Sequence, residues 1–235
     1  MITRDDIRQA TIYINGVDVY SELGILVEKY SIGATPITNS VYQGVHSTSY
    51  NLLYSDFGRR SIKVSLFITA PTRVVLSGKK TALDAMLWGK LELLMPDGFF
   101  YTSVLKSAGE LNPVGAEDNQ IIALCSYEFE GIQHGGLVKS VGNTIICEST
   151  MPYTNCKLTC TASQNRANLA IGSVTITNVS ANDVLTVDGI NGRILQNGAP
   201  CAGNMSFTKF PQLVPGSNTI TCAETLTIEY YPTFI

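Results

Sequence analysis

The chain has 235 residues and a mass of 25.4 kDa, a length that suits one large or two modest domains. Hydrophobic residues make up 45% of the chain and charged residues 15%, which excludes an intrinsically disordered protein because enough apolar surface exists to offset the entropy of ordering. The net charge of −3 argues against a protein that grips duplex DNA, since such a protein needs a basic face.

The first residues and the cysteines indicate where the chain is made. Residues 1–6 contain acidic side chains and no apolar run, so we expect no secretory signal. No stretch approaches the roughly 18 apolar residues of a membrane span, and we expect no membrane insertion. The chain is therefore expected to carry reduced thiols and to be made in a cytoplasm. The six cysteines are Cys125, Cys147, Cys156, Cys160, Cys201 and Cys222.

The composition changes near His134. Residues 1–133 contain 11 Lys and Arg against 14 Asp and Glu, whereas residues 134–235 contain 5 of each class. Residues 131–136 include three glycines and predict a linker. We therefore predict two domains, residues 1–133 and residues 134–235.

The first half has the pattern of a β protein. Residues 11–17 predict a strand that runs into a turn, and residues 60–68 place apolar side chains on one face at a period of two. Between these strands, residues 36–58 are rich in Ser, Asn, Tyr and Gly and predict an extended arm or hairpin. Residues 121–130 predict a long strand that closes this half.

One helix is predicted near residues 79–90. Its apolar stripe consists of Leu83, Met86 and Leu87. Thr81 and Asp84 resemble a capping box at its start. Trp88, the single tryptophan, is predicted to pack in the core.

The second half predicts a β-sandwich, so the fold class of the whole chain is mainly β. Short strand-like segments alternate with Asp-Gly, Asn-Gly and Pro-Gly pairs, which is typical of sandwiches. The predicted strands are residues 155–162, 172–179, 184–187, 193–196, 219–222 and 226–231.

The sequence predicts no catalytic, cofactor-binding or metal-binding residues. The two histidines, His46 in the arm and His134 in the predicted linker, are not set in structured sites as a nucleophilic triad requires. Cys156 and Cys160 point to one face of a predicted strand roughly 13 Å apart, too far to share one tetrahedral metal. We therefore predict that both are core thiols, and that the chain is not an enzyme and holds no cofactor.

Several motifs point to one family. Residues 210–220 read Phe-Pro-x-Leu-x-Pro-Gly-x-Asn-Thr-Ile, and residues 228–232 read Ile-Glu-Tyr-Tyr-Pro. In the first half, the helical pattern leads into Pro-Asp-Gly-Phe at residues 96–99. With these features, which span most of its length, the chain resembles the distal tail proteins of long-tailed, non-contractile bacteriophages (siphophages).

The resemblance implies a structural role at the tail tip. It implies an N-terminal, split-barrel-like β domain with one helix that closes into a hexameric ring, and a C-terminal galectin-like β-sandwich. The ring would connect the tail tube to the hub of the tail tip and leave a channel through which DNA passes without specific binding. The expected partners are other copies of the chain, the tail tube protein and the hub proteins. The expected location is the virion, after assembly in the host cytoplasm.

The arm is the predicted contact region. A polar, tyrosine-bearing segment has little reason to exist in an isolated sandwich, so we assign residues 36–58 to a subunit or tube contact. A basic pair follows the arm directly. The predicted interface residues are Tyr42, His46, Tyr50, Arg59 and Arg60.

Two other functions stay open. The second half can be a carbohydrate- or receptor-binding module, through an aromatic residue such as Tyr153, Tyr230 or Tyr231. However, no tryptophan follows Trp88 and no histidine follows His134, and galectins use both residue types to hold sugar. A hydrolytic tail-tip enzyme ranks last, because a chain with two histidines has few groups that shuttle protons near neutral pH.

Overall fold

A computed structural model describes residues 11–43, 45, 48–49, 51–201 and 203–235. The described residues are mainly β, which confirms the predicted fold class. Contacts divide the chain into two compact units. One unit is Met1–His134 together with Ile235, and the other is Gly135–Phe234. Each has its own buried apolar core.

The N-terminal unit is built on an antiparallel sheet. Its strands are β1 (Tyr13–Ile14), β2 (Val17–Asp18), β3 (Ile25–Ile32), β6 (Arg60–Ala70), β7 (Leu91–Leu94), β8 (Phe100–Ala108), β9 (Asn112–Glu117) and β10 (Gln120–His134). The strand order is β2-β1-β7-β8-β10-β6-β3, and β9 pairs with β10. Two further strands, β4 (Ile37–Tyr42) and β5 (Asn51–Phe57), form a separate hairpin. The period-two pattern of β6 therefore buries one face of the sheet, as predicted.

Helices cover the buried face of this sheet. Helix α1 spans Val19–Leu23 and helix α2 spans Arg73–Met86. Thr72 caps α2 by accepting a hydrogen bond from the Val75 N–H at 3.3 Å. The helix thus begins six residues before the predicted start at 79 and ends before 90. The β-branched Val74 and Val75 are weak helix formers, which explains why the first turns do not show in the sequence pattern.

The predicted capping box does not form. Thr81 lies inside α2 and donates its hydroxyl to the Ser77 carbonyl at 3.0 Å. The Asp84 carboxylate accepts instead from Lys80 Nζ and from the Tyr127 hydroxyl, both at 2.7 Å. Thr81 and Asp84 therefore lie inside the helix and do not mark its start.

The predicted linker at residues 131–136 is wrong for its first four residues, which continue strand β10 to His134. A Cβ at Gly131 would collide with the side chain of Ser103 on the neighbouring strand. His134 is buried and stacks on Phe100, with ring centroids 5.6 Å apart. Glycine at 131 therefore permits close strand packing and does not mark a flexible joint.

The C-terminal unit has two main sheets that share a core. Its strands are β11 (Val138–Val141), β12 (Thr144–Cys147), β13 (Thr154–Thr161), β14 (Arg166–Ile171), β15 (Val174–Val179), β16 (Val184–Asp188), β17 (Arg193–Gln196), β18 (Ala199–Pro200), β19 (Met205–Phe207), β20 (Gln212–Leu213), β21 (Gly216–Thr219) and β22 (Thr227–Tyr230). One sheet has the order β11-β22-β13-β16-β17-β18, with β20 on β13, and another has the order β14-β15-β19. Strand β12 pairs with β21. Leu158 and Ile228 of the first sheet and Leu169 and Ile176 of the second lie in one apolar cluster.

A buried carboxylate fixes one turn of this unit. Asp188 is fully buried at the end of β16, and its oxygens accept from the N–H groups of Ile190 and Asn191 and from Arg193 Nε, at 3.0–3.1 Å. Burial opposes ionisation, but these hydrogen bonds outweigh it and lower the pKa of Asp188. Asp188 is thus the turn residue that its Asp-Gly pair predicts.

Candidate interaction surface

The arm is a hairpin built from β4 and β5. Its register runs from the pair Ile37 and Phe57 at the base to the pair Tyr42 and Asn51 at the far end, with an irregularity after Ser40. Among the described residues, the two strands pair with each other and with no third strand. Two-stranded hairpins of this kind are marginally stable by themselves.

The base of the arm is tied to the main sheet. Strands β3 and β6, which flank the arm in the chain, pair with each other. The Gly33 N–H donates to the Ser61 carbonyl at 2.8 Å, and the Gly58 N–H donates to the Pro36 carbonyl at 2.8 Å. The arm therefore projects from a fixed origin at the β3–β6 end of the sheet.

Large apolar side chains on the arm are open to solvent. Each exposes between 50% and 88% of its surface. Six of them lie on the two strands and Val45 lies between the strands. Neighbouring residues of a strand point to opposite faces, so neither face is covered. The residues are Ile37, Val41, Tyr42, Val45, Leu52, Leu53 and Tyr54. Contiguous exposed apolar surface on an unprotected two-stranded sheet is typical of an interaction site.

The structure separates the predicted interface residues. Tyr42 is exposed at the far end of β4, about 17 Å along the strand from the base. Arg59 is exposed at the base, whereas Arg60 is half-buried and donates from Nε to the Thr35 hydroxyl at 3.0 Å. His46 and Tyr50 lie outside the described residues. Tyr42 and the arginines therefore do not form one cluster.

Two more exposed apolar side chains flank helix α2, Val74 near its start and Trp88 just after its end. The prediction that Trp88 packs in the core is wrong, because its side chain is 83% exposed, while Leu83 and Leu87 are buried. The helix ends at Met86 and Leu87 is its C-cap, so Trp88 follows the helix and does not continue its buried stripe. Val74, near the start of α2, is 82% exposed. The prediction failed because it extended the helix to residue 90 and so treated Trp88 as part of it.

The lysines of α2 do not add a free basic patch to this surface. Lys79 Nζ donates to the Thr69 carbonyl at 3.0 Å, and Lys80 pairs with Asp84. Asp84 also accepts from Tyr127, and burial together with this hydrogen bond raises the pKa of the Tyr127 phenol. These charges hold the helix to the sheet.

The described residues do not assemble a set of metal ligands. Within the described ranges, no cluster of three or more His, Cys, Asp or Glu side chains could hold a metal ion. Cys156 and Cys160 are buried, which confirms that they are core thiols, and burial raises the pKa of Cys156 to about 12. Across the same ranges, no helix has the length and apolar character needed to cross a membrane.

The tyrosines considered for sugar binding differ in exposure. Tyr153 is 64% exposed, whereas Tyr230 is fully buried. The Tyr230 hydroxyl donates to the Ile146 carbonyl and accepts from the Glu148 N–H, both at 3.2 Å. Tyr230 therefore serves the core of the C-terminal unit and cannot stack on a ligand.

Comparison with known proteins gives a family-model match for residues 148–234 and a shared fold for the chain. Residues 148–234 match the family model "Siphovirus-type tail component, C-terminal domain". None of the curated proteins matches the chain.

Two solved phage proteins share the fold over nearly the whole chain. The SPP1 Dit (gp 19.1) protein, described as a paradigm of the hub adsorption apparatus in phages that infect Gram-positive bacteria, matches with a TM-score of 0.73 and 14% identity over 96% of this chain and 99% of its own. A chain of the phage p2 baseplate in its activated conformation with Sr matches with a TM-score of 0.57 and 7% identity, over 94% of this chain and 97% of its own. The resemblance to siphophage distal tail proteins, predicted from the sequence, is therefore confirmed by the family of residues 148–234 and by the fold of both units.

Proposed function

We propose that the chain is a structural protein of a siphophage tail tip. In this proposal its N-terminal unit closes into a ring of six copies that connects the tail tube to the hub proteins. The ring leaves a channel through which DNA passes without specific binding, the C-terminal unit is galectin-like, and the protein is not an enzyme. Its place is the virion, after assembly in the host cytoplasm.

The observation that carries the proposal is the arm. Seven large apolar side chains are exposed on a hairpin that no other described strand pairs with. Burying them requires a surface outside the hairpin, which another copy of the chain supplies in a ring. A closed ring needs a heterologous interface, in which two different surfaces of each copy meet. The arm is one such surface, and the region of α2 near Trp88 offers a different one.

The acidic balance of the first half suits a channel for DNA. Residues 1–133 carry three more acidic than basic side chains. Phosphate binding requires a surplus of basic groups, and a surface without one lets DNA slide.

Native mass tests the proposal directly. The purified full chain is measured by light scattering over a wide range of concentrations. A species near 152 kDa, about six times the 25.4 kDa of one chain, is expected at high concentration. A matched variant that lacks residues 37–57 should remain folded and stay monomeric. A folded deletion variant that still forms the large species would refute the assignment of the arm.

Carbohydrate or receptor binding by the C-terminal unit is the second candidate. Its supporting observation is Tyr153, which presents an exposed aromatic ring. Glycan-array binding by the full chain that is lost in Tyr153→Ala and kept in Tyr42→Ala would support it. Equal glycan binding by the two variants would count against Tyr153 as the sugar contact.

A further inference from the structure

A polar groove lies on the face of the N-terminal sheet that points away from the core, and its volume is about 390 Å³. Its floor consists of β6 and β10, which pair so that Lys63 lies opposite Glu128 and Ser65 lies opposite Ser126. Strand β3 forms one wall of the groove, and the end of β8 forms the other. The lysine and serine residues that line it are Lys29, Ser31, Lys63, Ser65, Ser107 and Ser126.

Two β-bulges, one in each wall, shape this groove. In β3 the extra residue of the bulge is Glu28, and in β8 it is Lys106. A bulge bends its strand and increases the local twist. At the end of the β8 wall, the Gly109 N–H donates to the Ser126 carbonyl at 2.7 Å, and a Cβ at Gly109 would lie 2.6 Å from that oxygen. The concave shape is therefore set by the pairing and close approach of the strands.

The two lysines of the groove carry charges that no carboxylate neutralises within the described part of the chain. Neither Lys29 nor Lys63 takes part in an ion pair there. The carboxylate in the lining belongs to Glu128, which accepts from the Ser61 hydroxyl at 3.1 Å and lies 3.9 Å from Lys106 Nζ. Two unpaired ammonium groups beside several serine hydroxyls are donors suited to the oxygens of a carboxylate.

The hairpin of β9 and β10 carries two adjacent carboxylates at its tip. Asp118 and Asn119 form the turn, with φ angles of 48° and 59°. Glu117 and Asp118 are exposed, and no lysine or arginine of the described residues pairs with either. Residues 118 and 126 are eight positions apart on one strand, so the tip lies roughly 25 Å from the groove along β10. The tip therefore does not enter the groove of its own chain.

We propose that the groove of one copy binds the tip of a second copy, with the carboxylates of Glu117 and Asp118 facing Lys29 and Lys63. The occupant follows from charge complementarity, because the groove offers two unpaired ammonium groups and the tip offers two unpaired carboxylates. Two different surfaces of each copy meet, so the contact is heterologous and can close into a ring. This inference rests on the proposed assembly, and it adds to the arm an ionic contact that fixes which surfaces meet.

Cross-linking between copies tests the contact directly. Isotope-labelled and unlabelled full chains are mixed in dilute solution, concentrated together and treated with a water-soluble carbodiimide. This reagent joins a carboxylate to an amine that it touches, with loss of water. We expect peptide pairs, one labelled and one unlabelled, that link Lys29 or Lys63 to Glu117 or Asp118. A peptide map without such pairs would overturn the proposal.

Charge reversal tests the same contact through assembly. The groove variant is Lys29→Glu/Lys63→Glu. The tip variant is Glu117→Lys/Asp118→Asn, in which asparagine accepts the positive φ of the turn. Each variant alone should move the midpoint of assembly, measured as native mass, to an at least about tenfold higher concentration, because like charges then meet. In an equal mixture of the two variants, each groove again meets a tip of opposite charge, and an alternating ring should form as readily as the wild type.

A matched control separates the contact from net charge. Glu92→Lys/Glu148→Gln alters the net charge as much as the tip variant does, at two other exposed positions, and should assemble like the wild type. Urea midpoints check that every variant folds, and if the groove variant does not, the cross-link map of the wild type decides.

The outcomes for the contact and for the ring are distinct. A mixture that assembles no better than its separate variants would overturn the pairing of groove and tip. A species near 152 kDa without the cross-link would keep the proposed ring and remove this contact. The cross-link in a protein that never exceeds two copies would keep the contact and refute the ring.

Discussion

Replacing Leu52 and Leu53 by serine should weaken assembly without unfolding the chain. Both leucines lie on β5 of the arm, and their side chains are 57% and 61% exposed. Complete burial of a leucine side chain is worth about 1.5–3 kcal/mol. Covering the exposed parts of both therefore contributes at least about 2 kcal/mol to each contact between copies, which corresponds to roughly a 30-fold change in its dissociation constant.

The assay is native mass against protein concentration for the wild type and the double variant. The midpoint of assembly should move to at least a roughly 30-fold higher concentration, and further if each added copy forms the same contact twice. The free energy of unfolding in urea should change by no more than about 0.5 kcal/mol, because substitutions of exposed residues seldom cost more.

A variant on another exposed hairpin provides the control. Val114 lies on β9, which pairs with β10, and it is 57% exposed, as Leu52 is. Val114→Ser should assemble like the wild type. Equal assembly of the Leu52→Ser/Leu53→Ser variant and the wild type would refute the assignment of the arm. Equal weakening by Val114→Ser would show a general loss of surface apolarity and not a specific contact.

Three further predictions concern single residues. The fluorescence of Trp88, the single tryptophan, should be that of a solvated indole in the monomer and accessible to iodide, and Trp88→Ala should leave the urea midpoint unchanged. Asp188→Ala should destabilise the C-terminal unit by about 2 kcal/mol in urea unfolding, because the N–H groups of Ile190 and Asn191 lose the charged acceptor that fixes this turn. Hydrogen bonds from Lys157 and Lys139 lower the pKa of Glu229 below its ordinary 4.5. These bonds therefore stabilise the folded state above pH 4.5, and this stabilisation is lost as the pH falls through the lower pKa of the folded state. Glu229→Gln should flatten this acid dependence in urea midpoints measured from about pH 6 to pH 3.

The sequence predicts the β elements best where turns bound them sharply. Strand β17 has the predicted bounds of 193–196, because Asn-Gly pairs stand on both sides of it. The predicted strand at 219–222 does not form, since β21 ends at Thr219 and Cys222 makes only an isolated bridge. Alternation over four residues is too short to distinguish a strand from an extended segment that crosses between sheets.

The errors in the N-terminal unit have tertiary causes. The glycine at 131 is required by the approach of Ser103 on the neighbouring strand, and this contact cannot be read from the chain itself. The helix start at Thr72 is hidden by β-branched residues, whose low helix propensity is overridden by packing of Leu76 and Leu83 against the sheet. The composition of residues 36–58 suggests a polar arm, but its strands carry large apolar side chains. Only the pairing of the two strands shows that both faces of the arm are open to solvent.

The arm combines a fixed base with an uncovered tip, and this combination is itself an argument for a partner. Were the arm only a loop of the N-terminal unit, its apolar residues would stabilise the fold by packing on the core, yet Leu53 and Tyr54 expose more than half of their surface. Their exposure costs solubility and gives the monomer no compensating contact. The base, by contrast, is held by the backbone bonds from Gly33 and Gly58. Because a binding element loses less entropy when its position is already fixed, an arm anchored in this way is suited to bury its apolar side chains against another copy of the chain.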